Sequence, residues 1–170
     1  MKQRGFTLIE LIIVIVILGI LAVTAAPKFI DIQSDAKAST LQGVKASLQT
    51  GAQLVYAKSA IAGEQKIGNG TGAAADSQVV VNNVTIETDF GYPDAELMTT
   101  AMLNGFVDLA ATDWTLTVGA ASATTPAVGA FGISPGTATY DYSSDTCHVI
   151  YVEAANADTP PVVSVVDTGC

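Results

Sequence analysis

Beyond Lys66 the sequence contains neither lysine nor arginine, although twelve of its sixteen acidic residues lie there. That part cannot supply the cationic contacts that release counterions from a phosphate backbone, so direct nucleic-acid binding is not expected of it. The basic residues are Lys2, Arg4, Lys28, Lys37, Lys45, Lys58 and Lys66, all early in a chain of net charge −9. Histidine occurs once, at His148, which excludes a multi-histidine metal centre. Aromatic residues are scarce at 6%. Cysteine occurs only at Cys147 and Cys170, which limits the chain to one disulfide. An even count behind an apolar N-terminus points to that bond in an oxidising compartment. No metal and no cofactor is expected.

What the sequence does have is "GFTLIELIIVIVILGILAVTAAP", residues 5–27, an apolar run with one charge, Glu10. A charge deep in a bilayer costs roughly 2.5–3.5 kcal/mol, so a chain that keeps one there has a use for it. As a helix, Phe6 to Ala26 would reach about 31 Å, enough to cross the hydrocarbon layer. Lys2 and Arg4 hold the tip in the cytoplasm and place the rest outside. An ordinary secretory signal would end at "VTAA", Val23 to Ala26. Three features favour a retained helix cut behind Gly5. Glu10 would be useless in a discarded signal, the apolar run starts directly after Gly5, and the chain stays helical beyond Ala26.

The helical continuation is read from spacing. Leu41, Val44, Leu48, Ala52, Val55 and Ala62 fall on one stripe, broken only by the small Ser59. Gly63 is a C-terminal stop. One helix over 6–62 would be about 85 Å long. Pro27 lacks an N–H and crowds the Val23 carbonyl, so a kink or a locally unwound segment is expected there, with Gly19 a second weak point. The first half of such a helix has no partner in the rest of the chain, so it belongs in lipid or against copies of itself.

The remainder reads as α+β, with an antiparallel sheet laid on the second half of the helix. "EQKIGNGTGAAADS" (64–77) is a polar loop, and "VVVNNVTI" (79–86) a hairpin turning at Asn82-Asn83. "GYPDAELMTTAMLNGF" (91–106) reads as a turn and a helix starting at Pro93 or Asp94, with Leu97, Ala101 and Met102 inward. Strands are expected at 113–118, 137–142, 147–154 and 161–167, and a small-residue loop from Gly119 to Gly136. Pairing the last two strands antiparallel brings Cys147 and Cys170 to one end.

Catalysis is not expected. "GISPG" (132–136) matches the nucleophile-elbow pattern, but Pro135 has no N–H to give the oxyanion hole, and no helical pattern follows. His148 reads as structural or surface. Asp141 with Asp145, and Glu87 with Asp89, are possible calcium ligands but read better as solvated carboxylates. "GNGTG" (68–72) lacks the strand and lysine of a phosphate cradle. Asn69-Gly70-Thr71 and Asn83-Val84-Thr85 match glycosylation sequons.

The stretch "KQRGFTLIELIIVIVILGILAVTAAP" resembles the N-terminus of type IV prepilins: a basic leader, Gly5, Phe6, then Thr7-Leu8-Ile9-Glu10 and an apolar run. Residues 28–49, the Gly91-Tyr92-Pro93 turn and the late cysteine pair resemble the mannose-sensitive haemagglutinin (MSHA) branch of those pilins. The resemblance implies a 1–5 leader, a 6–27 membrane and filament-core half, and a 28–170 head. The head divides into helix 28–63, loop region 64–112, and sheet and disulfide region 113–170. It implies a prepilin peptidase that cuts between Gly5 and Phe6 and methylates the Phe6 amine. A precursor in the inner membrane, head periplasmic, would then be drawn by assembly machinery into a helical homopolymer. The surface filament would mediate attachment, agglutination and biofilm formation; its receptor is left open. Glu10 would pair with the Phe6 amine of a neighbouring subunit and fix the register; the alternative is that it only complements the helix dipole and the amine of its own Phe6. A type II secretion pseudopilin and a monomeric membrane-anchored binding module are the alternatives.

Overall fold

The computed structural model describes residues 5–68, 77–137 and 140–170, apart from the side chains of Pro27, Ile30 and Asp31. The chain divides into two compact units, Met1–Lys37 and Ala38–Cys170. One helix, α1 (Leu8–Ala62), contributes to both. It starts two residues later than the expected Phe6 because Thr7 takes the cap position. It ends where Gly63, at φ 83°, turns into the left-handed region. There Glu64 N–H donates to Ser59 O at 3.0 Å and Gly63 N–H to Ala60 O at 3.3 Å, which satisfies two of the last-turn carbonyls.

In the first unit the apolar side chains stand outward. Leu8–Ala26 is long and apolar enough to cross a membrane, and none of that span is buried. Its polar groups are satisfied locally: the Thr24 hydroxyl donates to Leu21 O at 3.0 Å, a bond that needs no water. The helix continues through Gly19 and Pro27.

In the second unit the helix carries the expected stripe. Leu41, Val44, Leu48, Ala52, Val55 and Ser59 are buried, whereas Ala62 is exposed because it sits at the final turn. Burying a leucine such as Leu48 contributes roughly 1.5–3 kcal/mol. Leu41 through Ala52 pack with Phe131, Ile133, Val149, Tyr151 and Val163. Val55, one turn on, packs instead with Val79, Val81 and Ile86. One stripe thus serves two antiparallel sheets in succession.

The first sheet joins β1 (Gln78–Val81), β2 (Val84–Asp89) and β3 (Tyr92–Pro93). The hairpin turns at Asn82 and Asn83, with φ 49° and 64°, the paired left-handed geometry that asparagine tolerates. The following helix is shorter than expected. α2 covers only Thr100–Phe106, capped by Thr99, whose hydroxyl accepts the Met102 N–H at 3.2 Å. Asp94 is a true start signal, but for a turn: its Oδ1 accepts the N–H groups of Glu96 and Leu97. Ala101 is therefore exposed and Leu97 half-buried, while Ala95, Met98, Leu103 and Val107 fill the core.

The second sheet has the order β4 (Trp114–Val118), β5 (Ala130–Pro135), β6 (His148–Val152), β7 (Val162–Val166). β5 overturns the expected loop from Gly119 to Gly136. It is buried on both faces: Phe131 and Ile133 face the core, and Phe131 stacks on Tyr151 at 4.7 Å. Gly132 on the other face lies under the Tyr142 ring, which leaves no room for a Cβ. The expected strand at 137–142 does not form over its described residues; 138–139 lie outside them. Tyr140 and Tyr142 instead fold over the outer sheet face with His148. The Cys147–Cys170 disulfide closes the end of the β6–β7 pair.

Candidate functional site

The sequence singled out Gly5, Phe6 and Glu10, and the structure places them at the start of α1. Gly5 and Phe6 precede the helix and are exposed, Phe6 at 93%. Residues 1–4 of the expected leader, with Lys2 and Arg4, lie outside the described residues. Thr7 is the first residue held in place. Its N–H donates to Glu10 Oε2 at 2.8 Å and its hydroxyl to the same oxygen at 2.7 Å. In return the Glu10 N–H reaches the Thr7 hydroxyl at 3.4 Å.

This is a capping box, threonine and glutamate three apart each satisfying a donor of the other at a helix start. The T-x-x-E spacing in Thr7-Leu8-Ile9-Glu10 carries that signal, yet sequence reasoning assigned Glu10 a role and passed over Thr7. The arrangement holds an acid at the positive end of the helix, one turn behind the chemistry expected at the Gly5–Phe6 bond. Both donors of Thr7 land on Oε2. Behind them Leu8, Ile9, Leu11, Ile12, Ile13 and the rest of the span are exposed, an apolar surface of the kind lipid or other chains cover.

The other candidates do not converge on a reactive centre. Ser134 of the elbow-like match is 1% exposed within β5, and the strand continues into Pro135 rather than turning into a helix. His148 is buried; its Nδ1 lies 3.1 Å from the Tyr140 hydroxyl, which also accepts the Cys147 N–H. Burial holds the imidazole below its usual value, and His148 packs among the tyrosines of the outer sheet face. The carboxylates of Asp141 and Asp145 serve their own turn: Asp141 Oδ1 accepts from Ser143, and Asp145 Oδ2 accepts the Asp141 N–H. Glu87 accepts from Gln78 at 3.0 Å. Among the described residues no group of three metal-ligating side chains comes together. Asn83 is exposed at the hairpin tip, and Asn69-Gly70-Thr71 lies outside the described residues.

Residues 1–26 match the family described as the prokaryotic N-terminal methylation motif. Over 119 residues the chain is 34% identical to the type IV major alpha-pilin of Moraxella bovis, covering 69% of each protein. It is 44% identical over 50 residues to the type IV narrow pilus major component PilA5 of Thermus thermophilus. It is 58% identical over 38 residues to the type IV major pilin protein PilA of Myxococcus xanthus. These last two matches span 43% and 17% of the relatives, and 29% and 22% of this chain. No solved structure gives a significant match. With its capped, apolar leading helix running into an α+β head, and with two thirds of its length aligned to a major pilin, the chain belongs to the type IV pilin family.

Proposed function

We propose that this chain is the major structural subunit of a type IV pilus. A peptidase cuts between Gly5 and Phe6 and methylates the new amine of Phe6. The processed subunit waits in the inner membrane with its head outside, then stacks into a helical homopolymer on the cell surface. The observation that carries this reading is the Thr7–Glu10 box at the head of an exposed apolar helix. Thr7 occupies Oε2, which leaves Oε1 for a donor from another chain. The Phe6 amine of an adjoining subunit is such a donor. Removing one partner of a buried charge pair leaves a bare charge, so the pair favours one register whether or not it adds net stability. Gly19 and Pro27 are the positions where the helix would bend or unwind during stacking. The MSHA-like features of residues 28–49 and the cysteine pair support a filament used for attachment, agglutination and biofilm formation.

The test separates charge from capping. Glu10→Gln keeps an oxygen for the Thr7 N–H but loses the charge; Glu10→Ala loses both. Each variant is expected to be cut and inserted normally yet to give few surface filaments, and Gly5→Glu to accumulate uncut in the membrane. Intact-mass spectrometry of sheared surface material should find a chain beginning at methylated Phe6. Normal filaments from Glu10→Gln would reduce Glu10 to a helix cap. A mature chain beginning at Ala26 would end the proposal.

A further inference from the structure

A single carboxylate ties the loop after β3 to the large sheet. Glu153 follows β6 directly, and its Oε2 accepts the Ala95 N–H at 2.8 Å. Two residues earlier, the Tyr151 hydroxyl donates to Pro93 O at 3.0 Å. Pro93–Ala95 is thus held by two side chains of the same strand end, and Ala95 is fully buried. Glu153 itself is seated by the backbone: its N–H donates to Gly129 O at 3.0 Å. Gly129 has φ 77°, and a Cβ there would stand 2.9 Å from Glu153 Oε1. The left-handed φ favours glycine here, and a larger residue would press on the carboxylate.

Three acids face Glu153, from the end of β2 and from the loop after β3, while the Val128–Gly129 segment beside it brings no charge. Asp89 ends β2, and Asp94 and Glu96 belong to the loop that Glu153 holds. With Glu153 they line one cleft of about 580 Å³, walled by Val128 and Val152. Asp94 is 3% exposed and fixed as the turn-forming acceptor for Glu96 and Leu97, so it cannot retreat from Glu153 without unmaking the turn. Tyr151 also lies within electrostatic reach.

We propose that Glu153 is a proton-operated clamp. When neutral it seats beside Asp89, Asp94 and Glu96 and closes the 93–97 loop onto β6; when ionised it is driven toward water and the loop loosens. Burial raises the Glu153 carboxyl to about 7, with Asp94, Asp89 and Glu96 adding to the rise and the Ala95 N–H opposing it. A raised carboxylate binds its proton in the folded head at a pH where the unfolded chain has released it. Between about 7 and the ordinary value of 4.5, falling pH therefore tightens the clamp, and rising pH through 7 releases it. This clamp is independent of whether the chain polymerises.

The experiment is amide exchange at Ala95 in the full-length protein in detergent micelles from pH 5 to 8, corrected for the intrinsic exchange rate. Wild-type protection should fall about tenfold as pH rises across that range, a figure reduced for the half-exposed carboxyl. Glu153→Gln keeps the acceptor without the charge and should stay flat at the acid level. Asp89→Asn should move the wild-type transition to lower pH. Constant wild-type protection, or a Glu153→Gln variant that titrates like wild type, overturns the proposal. Should Glu153→Gln not fold, the wild-type and Asp89→Asn curves still decide it.

Discussion

Gly51→Ala tests the packing of the head, because two effects of known size oppose each other there. In a helix interior, glycine to alanine gains about 1 kcal/mol from backbone entropy alone. At Gly51 the added Cβ would stand 2.6 Å from Phe106 Cδ2 and 2.7 Å from Phe106 O. The ring can turn, but the carbonyl cannot move alone. It belongs to the end of α2, where Val107 N–H donates to Leu103 O at 2.8 Å and Asn82 Nδ2 to Gly105 O at 3.0 Å. Overpacking costs about 1–3 kcal/mol, and a backbone obstacle belongs at the upper end. The clash wins, with a net loss of about 2 kcal/mol. Gly43 is the control: it lies on the same helix with nothing within 4 Å, so Gly43→Ala should gain up to about 1 kcal/mol. Urea unfolding of the full-length protein in detergent, followed by the fluorescence of Trp114, measures both. With a typical urea slope, the Gly51→Ala midpoint should fall by about 1 M. A midpoint at or above wild type would refute the docking of α2 against Gly51.

Reducing the Cys147–Cys170 bond reopens a 24-residue loop and should cost about 3 kcal/mol, read as a drop in the urea midpoint with dithiothreitol. His148 carries a lowered pKa, so its contribution is present above the ordinary 6.5 and is lost as pH falls through the folded value. The stability difference between wild type and His148→Gln should therefore shrink from pH 7 to pH 5; a constant difference would contradict it. At the hairpin, Asn83→Val places a β-branched residue at φ 64° and should cost about 1–2 kcal/mol, whereas Asn83→Gly should be tolerated, both read by thermal melting.

The parts of this fold that were legible in the sequence are those set by local chemistry. The 41–59 stripe, the Gly63 stop, the Asn82-Asn83 turn and the alternation in β4, β6 and β7 each follow from residues near in the chain. The disulfide followed because β6 and β7 pair in the register that puts both cysteines at one end. β5 was not legible. Gly132 and the terminal Pro135 read as loop, yet Gly132 is small because Tyr142, ten residues later, covers it. The same long-range contact explains why Tyr140 and Tyr142, which alternate as in a strand, instead cover His148 and the outer sheet face. At α2, Asp94 gave the right signal for the wrong element, since a carboxylate that caps a turn looks no different in sequence from one that caps a helix.

At the candidate site the limit was of another kind. Glu10 stood out because it costs energy in an apolar run, whereas Thr7 did not, because a threonine costs little. The structure joins them, and the joining alters what Glu10 must do in the proposed assembly. Nearly every position between Leu8 and Ala26 is apolar, so the span has no polar face to define a rotation or an axial position. In the proposed filament such a helix would slide against its copies with little change in buried apolar area. The Thr7 N–H and hydroxyl both hold Oε2, which restrains the carboxylate at the helix start. An acceptor restrained in this way on an almost wholly apolar helix would specify where the next subunit stops in the proposed filament.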